Sequence, residues 1–114
     1  MPKRKRNNEV VEFERSSGNV FADLDLPNPV ELHIKSQLMI IINREIERRS
    51  LTQTEAAEVV ALSQPDISRI ASGHLSAFSI DRLLSVLGRL GIDVEISTRR
   101  SRNGVGAVIV RELV

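Results

Sequence analysis

Two helix-start patterns in close succession limit the folds open to this chain. Thr52 is followed three residues later by Glu55, the pattern of a capping box in which each side chain bonds the other residue's backbone N–H. Ser63 is a second N-cap, and Pro65 falls in the first turn after it, where its missing N–H has no intrahelical acceptor to lose. The pattern predicts two short helices joined by a tight turn, residues 53–60 and residues 64–71.

This helix pair has the arrangement of a helix-turn-helix motif. Ala57 is small at the point where the helices must cross closely, and Leu62, Ile67 and Ile70 are predicted to point into the core. Gly73 stands where a helix end favours glycine. The opposite face carries small polar groups, where a solvated helix would be expected to carry Lys and Glu. Its residues are Gln64, Pro65, Ser68, Arg69 and Ser72.

A long helix is predicted before this pair and another after it. Asn28 is a candidate N-cap and Pro29 the first helical residue, and apolar residues follow at helical spacing to about Arg49. Ser79 caps a last helix, whose apolar stripe ends before Gly91. Because the chain has three Phe and no Trp or Tyr, its core must be built from Leu, Ile, Val and Ala. The fold is predicted to be mainly α.

After the last helix the apolar period changes from 3.6 residues to 2, which is typical of a half-buried strand. Residues 92–96 and 105–110 are predicted to form a β-hairpin around the Asn-Gly pair at 103–104. A two-residue turn there would set Glu95 opposite Glu112, which is a repulsive pair. Either the loop differs from a two-residue turn or the strands pair with another chain.

The predicted organisation is one small domain with tails. Residues 1–18 are predicted to be a basic, disordered tail, and residues 19–28 an extended lead-in. Residues 29–91 form the helix-turn-helix domain. Residues 92–114 form the hairpin, which is predicted to join two copies of the chain, although it can also cap its own helices.

Composition argues against several classes of site. The chain has no Cys, so disulfides and thiolate metal sites are impossible and the cytoplasm is the expected location. His33 and His74 lie apart from any carboxylate pair at ligand spacing, so no metal is expected. No apolar run approaches the roughly 20 residues of a membrane span, and none follows the basic start as in a secretory signal. No Gly-rich elbow or phosphate loop is present, so neither an enzyme nor a cofactor is predicted.

The outward face of the second short helix has the chemistry of a DNA-binding surface. A recognition helix enters the major groove with its N-terminal end first. There Gln64 can form two hydrogen bonds with adenine and Arg69 two with guanine, each pair worth about 1–3 kcal/mol of discrimination. Neighbouring hydroxyl and amide groups can bond phosphates beside the helix N-terminus. The predicted DNA-binding residues are Gln53, Thr54, Ser63, Gln64, Pro65, Ser68, Arg69 and Ser72.

The charge of the motif counts against DNA binding. Within residues 50–77, Arg69 is outnumbered by Glu55, Glu58 and Asp66. Asp66 is interpreted as a capping-box carboxylate near the positive end of its helix. Affinity for phosphate must therefore come from arginines outside the motif, and 13 of the 16 basic residues are Arg. The candidates are Arg44, Arg48, Arg49, Arg82, Arg89 and the basic tail.

The residues at the core, capping, turn and recognition positions all match the pattern of one known family. They are Leu51-Thr52-Gln53-x-Glu55-Ala56-Ala57, then Leu62-Ser63-Gln64-Pro65-x-Ile67-Ser68-Arg69-Ile70, then Gly73. Over about residues 35–91 the chain resembles the XRE family of Cro/CI-like helix-turn-helix proteins. The resemblance implies a lambda-repressor-like DNA-binding domain of four or five helices, here with a C-terminal β-hairpin. It also implies a homodimer that binds a palindromic operator.

Flanking residues resemble a narrower subgroup. They are Gly18-Asn19-Val20-Phe21-Ala22-Asp23-Leu24, Leu26-Pro27-Asn28-Pro29, Phe78-Ser79 and Asp93-Val94-Glu95-Ile96. Its members are often HigA-type antitoxins paired with RelE/HigB-like ribonuclease toxins, so the resemblance implies an operon autorepressor that also inhibits a toxin. The alternatives are a stand-alone phage-type regulator and an interaction module that does not bind DNA. Residues 20–26 suit a basic toxin surface, but pinning of the lead-in onto its own helices is the favoured interpretation.

Two positions depart from the family pattern. Ala61 stands where the turn usually has glycine in a left-handed conformation, and Ser50 where the first helix often ends in glycine. A left-handed alanine costs about 1–2 kcal/mol. The turn at Ala61 is therefore expected to differ slightly from the family turn.

Overall fold

The structure, a computed structural model, describes residues 19–113, and within them it contains five α-helices and one 3-10 turn. They are α1 (Val20–Asp23), α2 (Pro29–Arg48), α3 (Gln53–Val60), α4 (Gln64–Ala71), the 3-10 turn (Leu75–Ala77) and α5 (Ile80–Arg89). The prediction of a mainly α fold with four or five helices is confirmed. The predicted basic tail lies outside the described residues. No helix of the described range is long and apolar enough to cross a lipid bilayer.

The hydrophobic core lies between the inner faces of α2, α3, α4 and α5. Ile42 of α2, Ile70 of α4 and Leu83 of α5 are completely buried there, and Phe78 closes the core ahead of α5. Helix α2 packs against α5, α1 and α4, while α3 packs mainly against α4. Because the inner face of α4 is held in this core, its opposite face is left on the surface.

Three predicted N-caps are confirmed, and they fix where α3, α4 and α5 begin. The Thr52 hydroxyl accepts the N–H of Glu55 at 3.1 Å, and the Glu55 carboxylate accepts the N–H of Thr52 at 2.9 Å. Ser63 and Ser79 each accept an N–H from the residue three positions on, at 3.2 Å and 3.1 Å. These bonds satisfy backbone donors that have no acceptor within the helix.

The predicted extended lead-in is wrong for residues 20–23, which form α1. The side-chain oxygen of Asn19 accepts the N–H groups of Phe21 and Ala22, at 2.9 Å and 3.2 Å, and so starts a helical turn. The Asn19 amide also donates to the carbonyl of Pro29 at 3.0 Å, which ties α1 to the start of α2.

Asn28 is the N-cap of α2, as predicted, but it lacks the side-chain hydrogen bond that asparagine usually makes at this position. Asn28 has a left-handed backbone, with φ 52° and ψ 51°, and its side chain makes no capping bond. Only its backbone carbonyl takes part in the helix start, by accepting the N–H of Leu32 at 3.1 Å. Pro29 does occupy the first helical position, as predicted.

The predicted C-terminal β-hairpin is wrong, because residues 92–113 contain no strand. The Ser101 hydroxyl accepts the N–H of Asn103 at 3.1 Å and donates to the carbonyl of Val105 at 2.8 Å, so it closes a longer turn than the predicted one. Glu112 forms an ion pair with Arg44 of α2 at 2.5 Å and is not opposed to Glu95. Because of these contacts, the strand register that would have placed Glu95 opposite Glu112 does not form.

Ala61 and Ser50 both adopt the left-handed backbone that favours glycine. Ala61 ends α3 at φ 60° and ψ 43°, and Ser50 follows α2 at φ 54°. The expectation that alanine changes the turn between α3 and α4 is therefore wrong. The chain keeps the left-handed turn and carries its steric cost.

Ala61→Gly and Ser50→Gly are each expected to stabilise the protein by about 1 kcal/mol. Relief of the left-handed strain exceeds the extra backbone entropy that glycine loses on folding. Urea unfolding measures the change. Ser85→Gly on the exposed side of α5 is the control and should destabilise by about 0.5 kcal/mol, because its backbone is already helical. A loss of stability in both left-handed variants would contradict the prediction.

An ion cluster joins the end of α2 to the end of α5. The Glu45 carboxylate accepts hydrogen bonds from Arg48 at 2.5 Å and Arg49 at 2.7 Å. Arg49 also donates to the backbone carbonyl of Leu90. The hydrogen bonds from Arg48 and Arg49 lower the pKa of Glu45 from 4.5 to about 2.

This pKa predicts an acid-dependent loss of stability. A carboxyl whose pKa is lower in the folded state stabilises the fold fully above its unfolded pKa. The contribution of Glu45 should therefore be complete above about pH 4.5 and lost as pH falls towards about 2. Unfolding free energies of the wild type and Glu45→Gln should differ at pH 7 and converge near pH 2. A difference that persists at pH 2 would show that the ion cluster is not its source.

Candidate nucleic-acid interface

Helices α3 and α4 form the predicted helix-turn-helix pair. Ala57 is buried where the two helices cross, and its carbonyl accepts the N–H of Leu62 at 3.0 Å. Ile67 and Ile70 of α4 are buried and Leu62 is half-buried, as predicted. These contacts fix α4 against α3 and leave the N-terminal ends of both helices side by side.

The predicted DNA-binding residues lie at the surface on this pair of helices. Ser68 is half-buried and the other seven are exposed. The seven exposed residues are Gln53, Thr54, Ser63, Gln64, Pro65, Arg69 and Ser72. Their contact with DNA stays a prediction.

Gln53 and Gln64, the first residues of α3 and α4, are joined by a hydrogen bond. The side-chain amide of Gln64 donates to the side-chain oxygen of Gln53 over 2.6 Å. An amide group has two N–H donors and a carbonyl that accepts. Gln64 therefore keeps one donor and its oxygen for a further ligand, and Gln53 keeps both of its donors.

A three-residue ion cluster lies beside the glutamine pair. One oxygen of the Asp66 carboxylate is 2.7 Å from Arg69 on the same helix, and the other is 3.5 Å from Arg82 of α5. The guanidinium carbon of Arg82 lies 4.8 Å from the centre of the Phe78 ring, in cation–π contact. The interpretation of Asp66 as a capping-box carboxylate is wrong, because its side chain binds two arginines.

Arg82 is one of the arginines predicted to supply phosphate affinity from outside the motif, and the structure places it at the Asp66 carboxylate that also binds Arg69. The sequence does not predict this link. Arg82 and Asp66 lie on different helices, and no short-range pattern links them. The capping pattern at Ser79 predicts where α5 starts, but not which residue of α4 faces its first turn.

Two of the predicted hydroxyl groups are engaged by the backbone. The Ser63 oxygen accepts the N–H of Asp66 and still has its own hydrogen to donate. The Ser72 hydroxyl donates to the carbonyl of Ser68 at 2.9 Å, with Arg69 as a second acceptor at 3.3 Å. Ser63 therefore fits a role in phosphate binding better than Ser72 does.

The described residues hold no group of three or more His, Cys, Asp or Glu side chains that could bind a metal. His33 of α2 is half-buried, and burial lowers its pKa because the charged form loses solvent. The exposed groups described above on α3 and α4 are amide, hydroxyl, carboxylate and guanidinium groups, which can form hydrogen bonds and ion pairs with a ligand.

Comparisons with known proteins agree with this architecture. A family model described as "Helix-turn-helix domain" matches residues 20–99, which include all five helices. A solved structure named "Putative XRE Family Transcriptional Regulator" is similar with a TM-score of 0.68 and 31% sequence identity, over 77% of this chain and 99% of that chain. No curated protein matches the chain significantly. The chain belongs to the XRE family of helix-turn-helix proteins.

Proposed function

We propose that this protein is a transcriptional repressor that recognises its own operator through α4. The observation that carries the proposal is the outward face of α4, where Gln64 and Arg69 are exposed while Ile67 and Ile70 hold the helix in the core. Both side chains have the bidentate geometry that distinguishes base pairs in the major groove. Membership of the XRE family supports the same function.

Gln64 is proposed to contact adenine while Gln53 holds it. One N–H of the Gln64 amide is used by Gln53, and the remaining N–H and the oxygen match N7 and N6 of adenine. The two free donors of Gln53 can bind a phosphate of the same strand. The hydrogen bond fixes the glutamine before DNA arrives, so less side-chain freedom is lost on binding.

Arg69 is proposed to contact guanine. Its bond to Asp66 uses one terminal nitrogen and leaves the other nitrogens of the guanidinium group for O6 and N7 of the base. Its side chain is 49% exposed, so it can reach a groove that faces α4. Ser63 and Thr54, at the N-terminal ends of α4 and α3, are placed to bind phosphate.

A homodimer is proposed because one recognition helix contacts too few base pairs. Paired helices of this kind bind half-sites about 34 Å apart. Residues 92–113 are the proposed contact, since they expose several apolar side chains, among them Ile96 at 85% and Val105 at 78%. Ile92 and Val110 anchor this segment to the core, which leaves the apolar residues between them free to meet a second copy.

DNase footprinting of the region upstream of the gene tests the repressor and the dimer together. The expected result is a protected, two-fold symmetric site with half-sites one helical turn apart. Protection of a single half-site would refute the dimer. Equal binding to unrelated DNA would refute sequence recognition and favour an interaction module.

An antitoxin role is a second proposal, which rests on the resemblance of the flanking residues to HigA-type proteins. It is supported by α1 and the two residues after it, where Leu24 is 62% exposed and Val20 is exposed on a segment that also carries Asp23 and Asp25. An apolar surface bordered by carboxylates is complementary to a basic ribonuclease. Co-expression with a neighbouring RelE-like gene product should yield a stable complex. If the two proteins do not co-purify, the antitoxin role is refuted and the stand-alone regulator is the remaining interpretation.

A further inference from the structure

Asp66 lies at the centre of the proposed DNA-binding surface and is bound to two arginines on different helices. Its carboxylate is 2.7 Å from Arg69 and 3.5 Å from Arg82, and only 24% of its side chain is exposed. A carboxylate on a surface that must approach phosphates repels them, so its presence weakens DNA binding unless it also favours binding in another way. Its side chain does not close the cap of α4, which Ser63 closes through the Asp66 N–H.

We propose that Asp66 is a positioning residue for DNA recognition, which orients Arg69 for its base and holds Arg82 for a phosphate. This proposal rests on the repressor function proposed above and adds two residues to its binding surface. Asp66 acts through the arginines and makes no DNA contact of its own.

The contact with Arg69 is the stronger of the two. A charge-assisted bond at 2.7 Å holds one nitrogen of a long side chain that otherwise has many rotamers. The guanidinium group is planar, so fixing one nitrogen to Asp66 also restricts where the other nitrogens point. An anchored arginine loses less freedom when it binds guanine, and it discriminates more sharply against a base that does not match.

The contact with Arg82 is the weaker one, which leaves the Arg82 guanidinium group able to bind a phosphate. At 3.5 Å the second oxygen of Asp66 is at the limit of an ion pair, and 48% of the Arg82 side chain is exposed. The face of Phe78 holds the same guanidinium group near the surface by cation–π attraction. A DNA phosphate can therefore replace Asp66 at Arg82 without disturbing Arg69.

The charges of the cluster agree with this assignment. Two guanidinium groups and one carboxylate carry a net positive charge, on a motif whose own carboxylates outnumber its arginine. Arg82 thereby supplies phosphate affinity that α3 and α4 lack. Since Arg82 is on α5, this affinity depends on how α5 packs beside α4.

The test compares binding to the footprinted operator and to a copy in which the guanine contacted by Arg69 is replaced by adenine. The ratio of the two Kd values measures discrimination at that base pair. Asp66→Ala is expected to lower this ratio about fivefold or more, and Asp66→Asn, which keeps the shape, by a smaller factor. In an Arg69→Ala background, Asp66→Ala should leave the ratio unchanged, because its effect passes through Arg69. Arg82→Ala should keep the ratio and reduce the salt dependence of binding by about one phosphate contact for each half-site.

Asp81→Ala is the matched control. Asp81 is an exposed carboxylate in the first turn of α5, next to Arg82 in the chain, so its removal changes the charge and the helix-end electrostatics in the same way. Its discrimination ratio should equal that of the wild type. An unchanged ratio in Asp66→Ala, or an equal loss in Asp81→Ala, would overturn the proposal while the repressor function stands. A wild-type protein that shows no base preference would overturn both.

Discussion

Ile70→Ala is expected to lower the free energy of unfolding by about 2–5 kcal/mol. Ile70 is completely buried on the inner face of α4, and its carbonyl accepts a hydrogen bond from Asn43 of α2 at 3.0 Å. Truncation to alanine removes buried methyl groups and leaves a cavity between α2 and α4. A small domain has only about 5–15 kcal/mol of stability in total, so the loss should be visible as a large shift in the urea midpoint.

Ile40→Ala is the control for this prediction, because it makes the same chemical change at the surface. Ile40 lies on α2 and is 42% exposed. Its replacement should cost well under half of the loss at Ile70, since less apolar area is removed from contact and no closed cavity forms. Equal losses at the two positions would mean that α4 is not seated in the core as the structure shows, and the exposure of its outer face would then lose its basis.

The parts of the fold that the sequence predicts correctly depend on short-range contacts. The starts of α3, α4 and α5 follow from hydroxyl groups that bond an N–H three residues away, as at Thr52 and Ser63. The inner face of α4 follows from helical spacing, which places Ile67 and Ile70 on one side. Both kinds of pattern lie within one or two turns of chain, so neighbouring residues contain the information.

The parts that the sequence does not predict depend either on contacts between distant residues or on short turns without a recognisable apolar period. Period-2 alternation predicts strands after α5, but the ion pair of Glu112 with Arg44 and the turn closed by Ser101 give a different path. Helix α1 starts where the Asn19 side chain caps a single turn, and this four-residue helix is too short to show a helical apolar period.

In the candidate site, too, the sequence predicts some features and not others. Outward exposure of Gln64 and Arg69 follows from the helix period, while the contacts that orient them do not. The bond from Gln64 to Gln53 and the link from Asp66 to Arg82 each join two helices, so they appear only when the helices are packed. Capping rules predicted a role for Asp66 at the helix start, but the nearby arginines compete successfully for its carboxylate.

Arg69→Ala is expected to weaken binding by about 1–3 kcal/mol for each half-site, which is roughly a 5- to 150-fold rise in Kd per half-site. The dimer on its full operator should lose about twice that free energy. The loss should fall on one guanine in each half-site, because the guanidinium group supplies both hydrogen bonds to that base. Fluorescence anisotropy with the operator and with single-base variants measures it. After the guanine is replaced by adenine, the variant and the wild type should bind with similar Kd values.

Arg69→Lys separates the geometry of this side chain from its charge. Lysine keeps the positive charge but not the planar fork, so it should retain the salt dependence of binding and still lose much of the preference for guanine. Gln64→Ala is the complementary variant and should alter the preference at a different base pair, because Gln64 lies more than one helical turn before Arg69 on α4. If lysine restores full discrimination, Arg69 contributes charge alone and guanine recognition must lie with another residue. If Gln64 and Arg69 alter the same base pair, α4 does not enter the groove with its N-terminal end first.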